Sequence, residues 1–106
     1  MGYIYLIYDE GLDAYKIGVT RSKDSKRLKS LQTGNASNLR IIYLYECEYP
    51  FRLETMLHNK FRNDNIKNEW FHMSDEDVLS FQAICHTLNE TILKLKDNPY
   101  FAKNLK

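Results

Sequence analysis

Residues 3–20 read YIYLIYDEGLDAYKIGVT, and the fold is decided there. Residues 3–8 form a β-branched and aromatic run that Asp9-Glu10-Gly11 closes, and a second run of the same kind, residues 15–20, starts three residues beyond that glycine. Two short apolar runs separated by a polar, glycine-containing connection predict a β-hairpin. Working outward, residues 22–31 carry Leu28 and Leu31 among Lys23, Lys26, Arg27 and Lys29, a short helix with one apolar stripe that stops at Thr33-Gly34-Asn35. Residues 39–48 (LRIIYLYECE) predict a third strand, halted by Pro50.

Beyond that strand, Leu53, Met56, Leu57, Lys60 and Phe61 recur at the spacing of an amphipathic helix. Pro50 stands where a first helical turn tolerates it. Residues 63–68 are polar and read as a loop leading to Glu69-Trp70-Phe71, an apolar anchor. Ser74-Asp75-Glu76-Asp77 has the form of a capping box. Val78, Phe81, Ile84, Cys85, Leu88, Ile92 and Leu95 then keep one helical face apolar until Asn98-Pro99. The predicted order is ββαβαα, an α+β domain with a three-stranded, mostly antiparallel sheet flanked by helices. Residues 1–97 form the single domain of this reading, and residues 98–106 its C-terminal tail.

At 106 residues with 43% hydrophobic and 13% aromatic side chains, the chain can fill one core without metal or disulfide staples. Cys47 and Cys85 belong to no paired spacing, which excludes a zinc ribbon and a disulfide framework and suits a reducing compartment. The apolar run at the N-terminus lacks a basic flank and is too short to span a bilayer. The expectation is an intracellular protein, cytoplasmic or nuclear, that engages no membrane.

Fifteen Lys and Arg against fourteen Asp and Glu leave a net charge of +1, so no global field draws the chain to nucleic acid. The distribution is uneven. Residues 16–29 hold Lys16, Arg21, Lys23, Lys26, Arg27 and Lys29 against Asp24 alone. A basic second strand and first helix on an otherwise acidic molecule is the footprint of a phosphate-facing surface, although a solvated helix face has the same composition. Arg21, Lys23, Lys26 and Lys29 are therefore the candidate nucleic-acid contacts.

Tyr3-Ile4-Tyr5, Lys16-Ile17-Gly18, Arg27, Glu54 four residues before His58, and Glu69-Trp70-Phe71 follow one another in a matching order of elements. This ordered set resembles the GIY-YIG nuclease superfamily over about residues 2–78, and is most similar to its short branch found in phages, large DNA viruses and some cellular genomes. The resemblance implies a metal-dependent endonuclease acting on DNA, with Mg²⁺ or Mn²⁺ as cofactor. It also implies that Glu54 is the metal ligand, that Arg27 stabilises the charge of the transition state, and that Tyr5 activates or positions the attacking water.

The residue types suit those roles. Phosphodiester hydrolysis needs a nucleophilic water, a cation on the non-bridging oxygens and stabilisation of the leaving oxyanion. A carboxylate is a hard ligand for Mg²⁺ or Mn²⁺. A guanidinium grips two phosphate oxygens at once, and a phenol beside an ammonium and a divalent cation is favoured as phenolate. His58 could relay a proton or hold the glutamate, or serve as a structural group; Glu69 reads as an outer acceptor. Gly18 suits a close approach of another element or of substrate.

The chain departs from the family pattern in three places. Lys16 stands where the second tyrosine is expected, Tyr3 replaces the first glycine, and Leu31 occupies the place of a His or Tyr four residues after the arginine. A rival reading is a catalytically degenerate relative that binds nucleic acid or a protein without cutting. With no recognition domain in the sequence, any site choice would come from the domain itself, from a second copy or from a protein partner.

Overall fold

The alternating strand residues of the N-terminal hairpin divide their side chains between two apolar clusters, and the rest of the chain is arranged around that division. The computed structural model describes residues 1–23 and 39–102, with side chains as far as Tyr100. β1 (Gly2–Asp9) pairs antiparallel with β2 (Ala14–Thr20) on one side and with β3 (Leu39–Cys47) on the other. Ile4, Leu6, Ile17 and Val19 face one way, into a core closed by Leu53, Leu57, Phe61, Phe71, Phe81, Cys85 and Ile92. Tyr5 and Ile7 face the other way and meet Leu39, Ile41 and Leu44. The register sets Tyr5 opposite Gly18 and Ile7 opposite Lys16, and directly opposed residues share a face.

The connection between β1 and β2 is built by side chains that cap backbone. Asp9 is buried, and its carboxylate accepts the N–H groups of Gly11 (2.8 Å) and Leu12 (3.3 Å). This Asx turn satisfies donors that a tight connection leaves bare. Asp13 takes the left-handed conformation (φ 49°) and accepts the Tyr8 hydroxyl at 2.8 Å, and the Tyr8 and Tyr15 rings meet across the hairpin at 4.8 Å, tilted by 39°.

The three-stranded sheet expected from the sequence is in fact five-stranded and wholly antiparallel, in the order β3-β1-β2-β5-β4. The additions are β4 (Asn65–Lys67) and β5 (Trp70–Phe71), which occupy the stretch read as a loop and its anchor. They are three and two residues long, and β4 is exposed throughout, so no apolar alternation marks them. A turn at Asn68 (φ 53°) joins them, and the Asn65 amide ties it by donating to the carbonyls of Asn68 (2.8 Å) and Trp70 (3.1 Å). Because β5 pairs only with Tyr15 and Lys16, the edge of β2 from Ile17 onward has no neighbouring strand among the described residues.

α1 (Pro50–Lys60) begins with Pro50 in its first turn and buries Leu53 and Leu57 in the main core. The helix expected after Ser74 is divided into α2 (Asp75–Leu79) and α3 (Phe81–Leu95). Ser74 caps α2 through the Asp77 N–H, and Ser80, at φ −93° and ψ 2°, marks the division. The apolar spacing runs straight across that point because the hydrogen bonds of Ser80 to Glu76 and of Ile84 to Ser80 keep the helical phase. A short α4 (Pro99–Ala102) follows. The helix expected over residues 22–31 lies outside the described residues, apart from Ser22 and Lys23.

Candidate metal centre

The unpaired edge of β2 is where chemistry-bearing side chains gather. Glu54 and His58 lie one turn apart on α1, both half-buried, and Glu69 comes from the β4–β5 turn. One potential ligand atom of each lies within 4.8 Å of the others. Ile17 fixes the backbone between them. Its N–H donates to the Glu69 carbonyl at 3.1 Å, and its carbonyl lies 2.9 Å from His58 Nε2. A carbonyl only accepts, so Nε2 carries the proton and Nδ1 keeps the lone pair in the neutral ring. The ring itself rests against Phe71, centroids 5.0 Å apart.

Lys16 completes the group on the other side of Glu69. Its Nζ lies 3.8 Å from a Glu69 carboxylate oxygen, with the two side chains 16% and 31% exposed, and 5.9 Å from the centre of the Trp70 ring. The contact adds little stability at this exposure, but with the cation–π contact it restricts where the ammonium sits. Beside His58 opens a cleft of about 240 Å³ lined by Asn59, Arg62, Asn65, Asn68 and Phe71.

The structure thus brings together four residues singled out in the sequence: Glu54, His58, Glu69 and Lys16. Tyr5 is on the sheet face that Lys16 shares, fully buried. Its ring lies so close over Gly18 that a Cβ there would stand 2.3 Å from the hydroxyl. Gly18 is accordingly required for space, and its partner is Tyr5 rather than substrate. Arg21 is exposed and lines a separate hollow with Thr20, Pro50 and Phe51 at the start of α1. Lys23 is exposed. Arg27, Lys26 and Lys29 lie outside the described residues.

Sequence reasoning placed Glu69 only at the margin of the site, and it missed the Ile17 backbone altogether. The spacing of Glu54 and His58 with an isolated Glu before Trp70-Phe71 carried the signal for Glu69. A main-chain tether has no residue-type signature.

The donor set fits a divalent cation: two carboxylates offer hard oxygens and a neutral imidazole offers nitrogen. Elsewhere the titratable groups are tuned by packing. Burial raises the Cys47 thiol to about 11 and the Cys85 thiol to about 12, which keeps both protonated and removes them from the candidate chemistry. Tyr8 is raised chiefly by its hydrogen bond to Asp13, and Tyr15 and Tyr45 chiefly by burial.

No helix among the described residues is long and apolar enough to cross a membrane. No curated protein and no solved structure matches the chain significantly. The model of the T5orf172 domain does match, over residues 2–86, and the chain belongs to that family, which is related to the GIY-YIG nucleases.

Proposed function

We propose that the chain is a divalent-metal-dependent endonuclease that hydrolyses phosphodiester bonds in DNA. The observation that carries this reading is the convergence of Glu54, His58 and Glu69 beside Lys16 in a chain of this family. Glu54 holds Mg²⁺ or Mn²⁺, which when bound supplies positive charge to the phosphate oxygens and to the leaving oxyanion. Lys16, held between Glu69 and Trp70, directs its ammonium toward the phosphate and the attacking water. Tyr5, buried beneath Gly18, supports the strand that carries Lys16 rather than meeting the water itself. Arg27 grips two oxygens of the scissile phosphate, a task that suits its planar fork. Arg21, Lys23, Lys26 and Lys29 bind the DNA backbone on either side and add affinity that falls with salt. His58 serves the same centre from one turn along α1.

A second reading, a relative that binds nucleic acid without cutting it, draws on the complete burial of Tyr5 and on Lys16 in place of the family tyrosine. Supercoiled plasmid separates the two. Incubated with the purified protein and Mg²⁺ or Mn²⁺, it is expected to be nicked, with nicking lost in EDTA and in Glu54→Ala while the circular dichroism of the variant stays parental. Plasmid retarded on a gel but never cut by the parent protein supports the second reading. Cleavage that survives both EDTA and Glu54→Ala would trace to contamination and leave the nuclease assignment without support.

A further inference from the structure

We infer that His58 and Glu69 join Glu54 in a single cation site of one imidazole and two carboxylates, and that this site favours a first-row transition ion over Mg²⁺. The inference rests on the metal-dependent reading above and adds to it the ligand set and the ion.

Four observations support it. First, ligands of one ion at about 2.1 Å lie no more than about 4.2 Å apart, and the three candidate atoms already fall within 4.8 Å of one another. Three ligands around one ion stand about 3.0–3.6 Å from one another, so side-chain torsions must draw these atoms in by up to about 1–2 Å to close the set. Second, the tautomer is the required one. A metal-bound imidazole commonly donates its other N–H to a backbone carbonyl or carboxylate, which fixes the ring and raises its basicity. Here the Ile17 carbonyl takes Nε2–H, so Nδ1 is the ring nitrogen with a lone pair to give.

Third, the ligands come from elements fixed relative to each other. Glu54 and His58 lie four residues apart on an eleven-residue helix, and Glu69 stands in a turn tied by Asn65 and by the Ile17 N–H. Fourth, the charges match. Two carboxylates this close attract a divalent cation, and Lys16, 3.8 Å from Glu69, competes with it for one of them.

The choice of ion follows from the donors. Mg²⁺ is a hard ion that keeps its waters and is held through one or two carboxylates and substrate phosphates. An imidazole donor shifts preference toward the first-row transition ions, whose affinities exceed it in the order that begins with Mn²⁺. A site of Glu54 alone would lack that preference.

The test measures binding on the full chain without DNA. Mn²⁺ is titrated against the protein by electron paramagnetic resonance of the free ion, and Mg²⁺ is then added as a competitor. The expected result is Mn²⁺ bound at least about tenfold more tightly than Mg²⁺. His58→Gln and Glu69→Gln should each weaken Mn²⁺ by about tenfold or more, as expected for a ligand when even outer partners are worth 10- to 100-fold. Lys16→Met, which removes the competitor for Glu69, should tighten Mn²⁺.

If circular dichroism shows that His58→Gln does not fold, Glu69→Gln and Lys16→Met decide the matter. Equal affinity for Mn²⁺ and Mg²⁺, or Mn²⁺ affinity untouched by Glu69→Gln, overturns the inference. Plasmid nicking with Mg²⁺ by a protein that shows no Mn²⁺ preference overturns it while keeping the nuclease reading. Tight Mn²⁺ binding that responds to the variants as stated, without any nicking, sustains it and removes the nuclease reading instead.

Discussion

Replacing Gly18 by alanine adds a single methyl group to a sheet whose opposite strand has no room for it. A Cβ built on Gly18 falls 2.3 Å from Tyr5 Oη, 2.4 Å from Cζ and 2.9 Å from Cε1, whereas carbon atoms rest at about 3.5–4.0 Å. The ring must therefore retreat by about 1 Å or more. Tyr5 is fully buried and packed with Ile7, Leu39, Ile41 and Leu44, so retreat means displacing other side chains or bending β1. Overpacking of this kind costs about 1–3 kcal/mol, and contacts this short belong at the upper end.

No described glycine has a positive φ, so alanine carries no backbone strain, and relief from the flexibility of glycine offsets about 0.5–1 kcal/mol at most. A net loss of about 2 kcal/mol lowers the melting temperature by about 10 °C in a domain of this size. The assay is urea unfolding of the parent, Gly18→Ala, Tyr5→Leu and the double variant. In the Tyr5→Leu background the alanine should cost at least about 1 kcal/mol less than in the parent, a coupling that identifies the ring as the obstacle. A Gly18→Ala protein within about 0.5 kcal/mol of the parent, or costs that add in the double variant, would refute the claim that Gly18 exists to admit Tyr5.

Three further outcomes follow from other parts of the molecule. Asp9→Ala should destabilise the fold by about 1–3 kcal/mol in the same unfolding assay, because it leaves the N–H groups of Gly11 and Leu12 without their buried acceptor; an unchanged midpoint would show that water replaces the carboxylate at no cost. Cys47 and Cys85 are raised to about 11 and about 12 from an unfolded value near 9, so the folded state retains protons that the unfolded state gives up. Their contribution is whole below about pH 9 and is lost as pH rises toward 11–12, and replacing both with alanine or valine should flatten the alkaline decline seen by thermal melts from pH 8 to 11. Arg27→Ala should nearly abolish plasmid nicking while lowering DNA affinity only modestly, and Arg27→Lys should recover little; equal losses of binding and cleavage would reduce Arg27 to an ordinary phosphate contact.

The hairpin, β3 and α1 were legible because each carries a clean period: two apolar runs around Asp9-Glu10-Gly11, a third run before Pro50, and Leu53, Met56 and Leu57 on one helical face. β4 and β5 were not. Asn65-Ile66-Lys67 is exposed on both faces, and Trp70-Phe71 is too short to alternate, so their pairing is imposed by the Asn65 amide and by the edge that β2 offers rather than by their own composition. The division of the last helix at Ser80 left no mark because the apolar spacing from Val78 to Phe81 is that of an unbroken helix.

At the site, Glu54 and His58 were visible from their four-residue spacing, and Lys16 from its place in the second tripeptide. Glu69 looked peripheral because its approach depends on a turn that the sequence conceals. Tyr5 was singled out as a reactive phenol, and its close fit under Gly18 is a packing fact that only three-dimensional registration shows.

The two hydrogen bonds of the Ile17 peptide tie the side chains of the candidate centre to the rim of the sheet. On the Ile17 side both are made by main chain, so no replacement of that buried side chain removes them directly, and the bond to Glu69 depends on the short β5 staying docked. Local opening of that rim would release His58 and the Glu69 turn in one event. The Ile17 amide should accordingly exchange with solvent at a rate that tracks assembly of the centre, slowing when a cation is bound. Because Phe71 of β5 is itself a core residue, such an opening also costs core packing, which ties the integrity of the candidate centre to that of the fold.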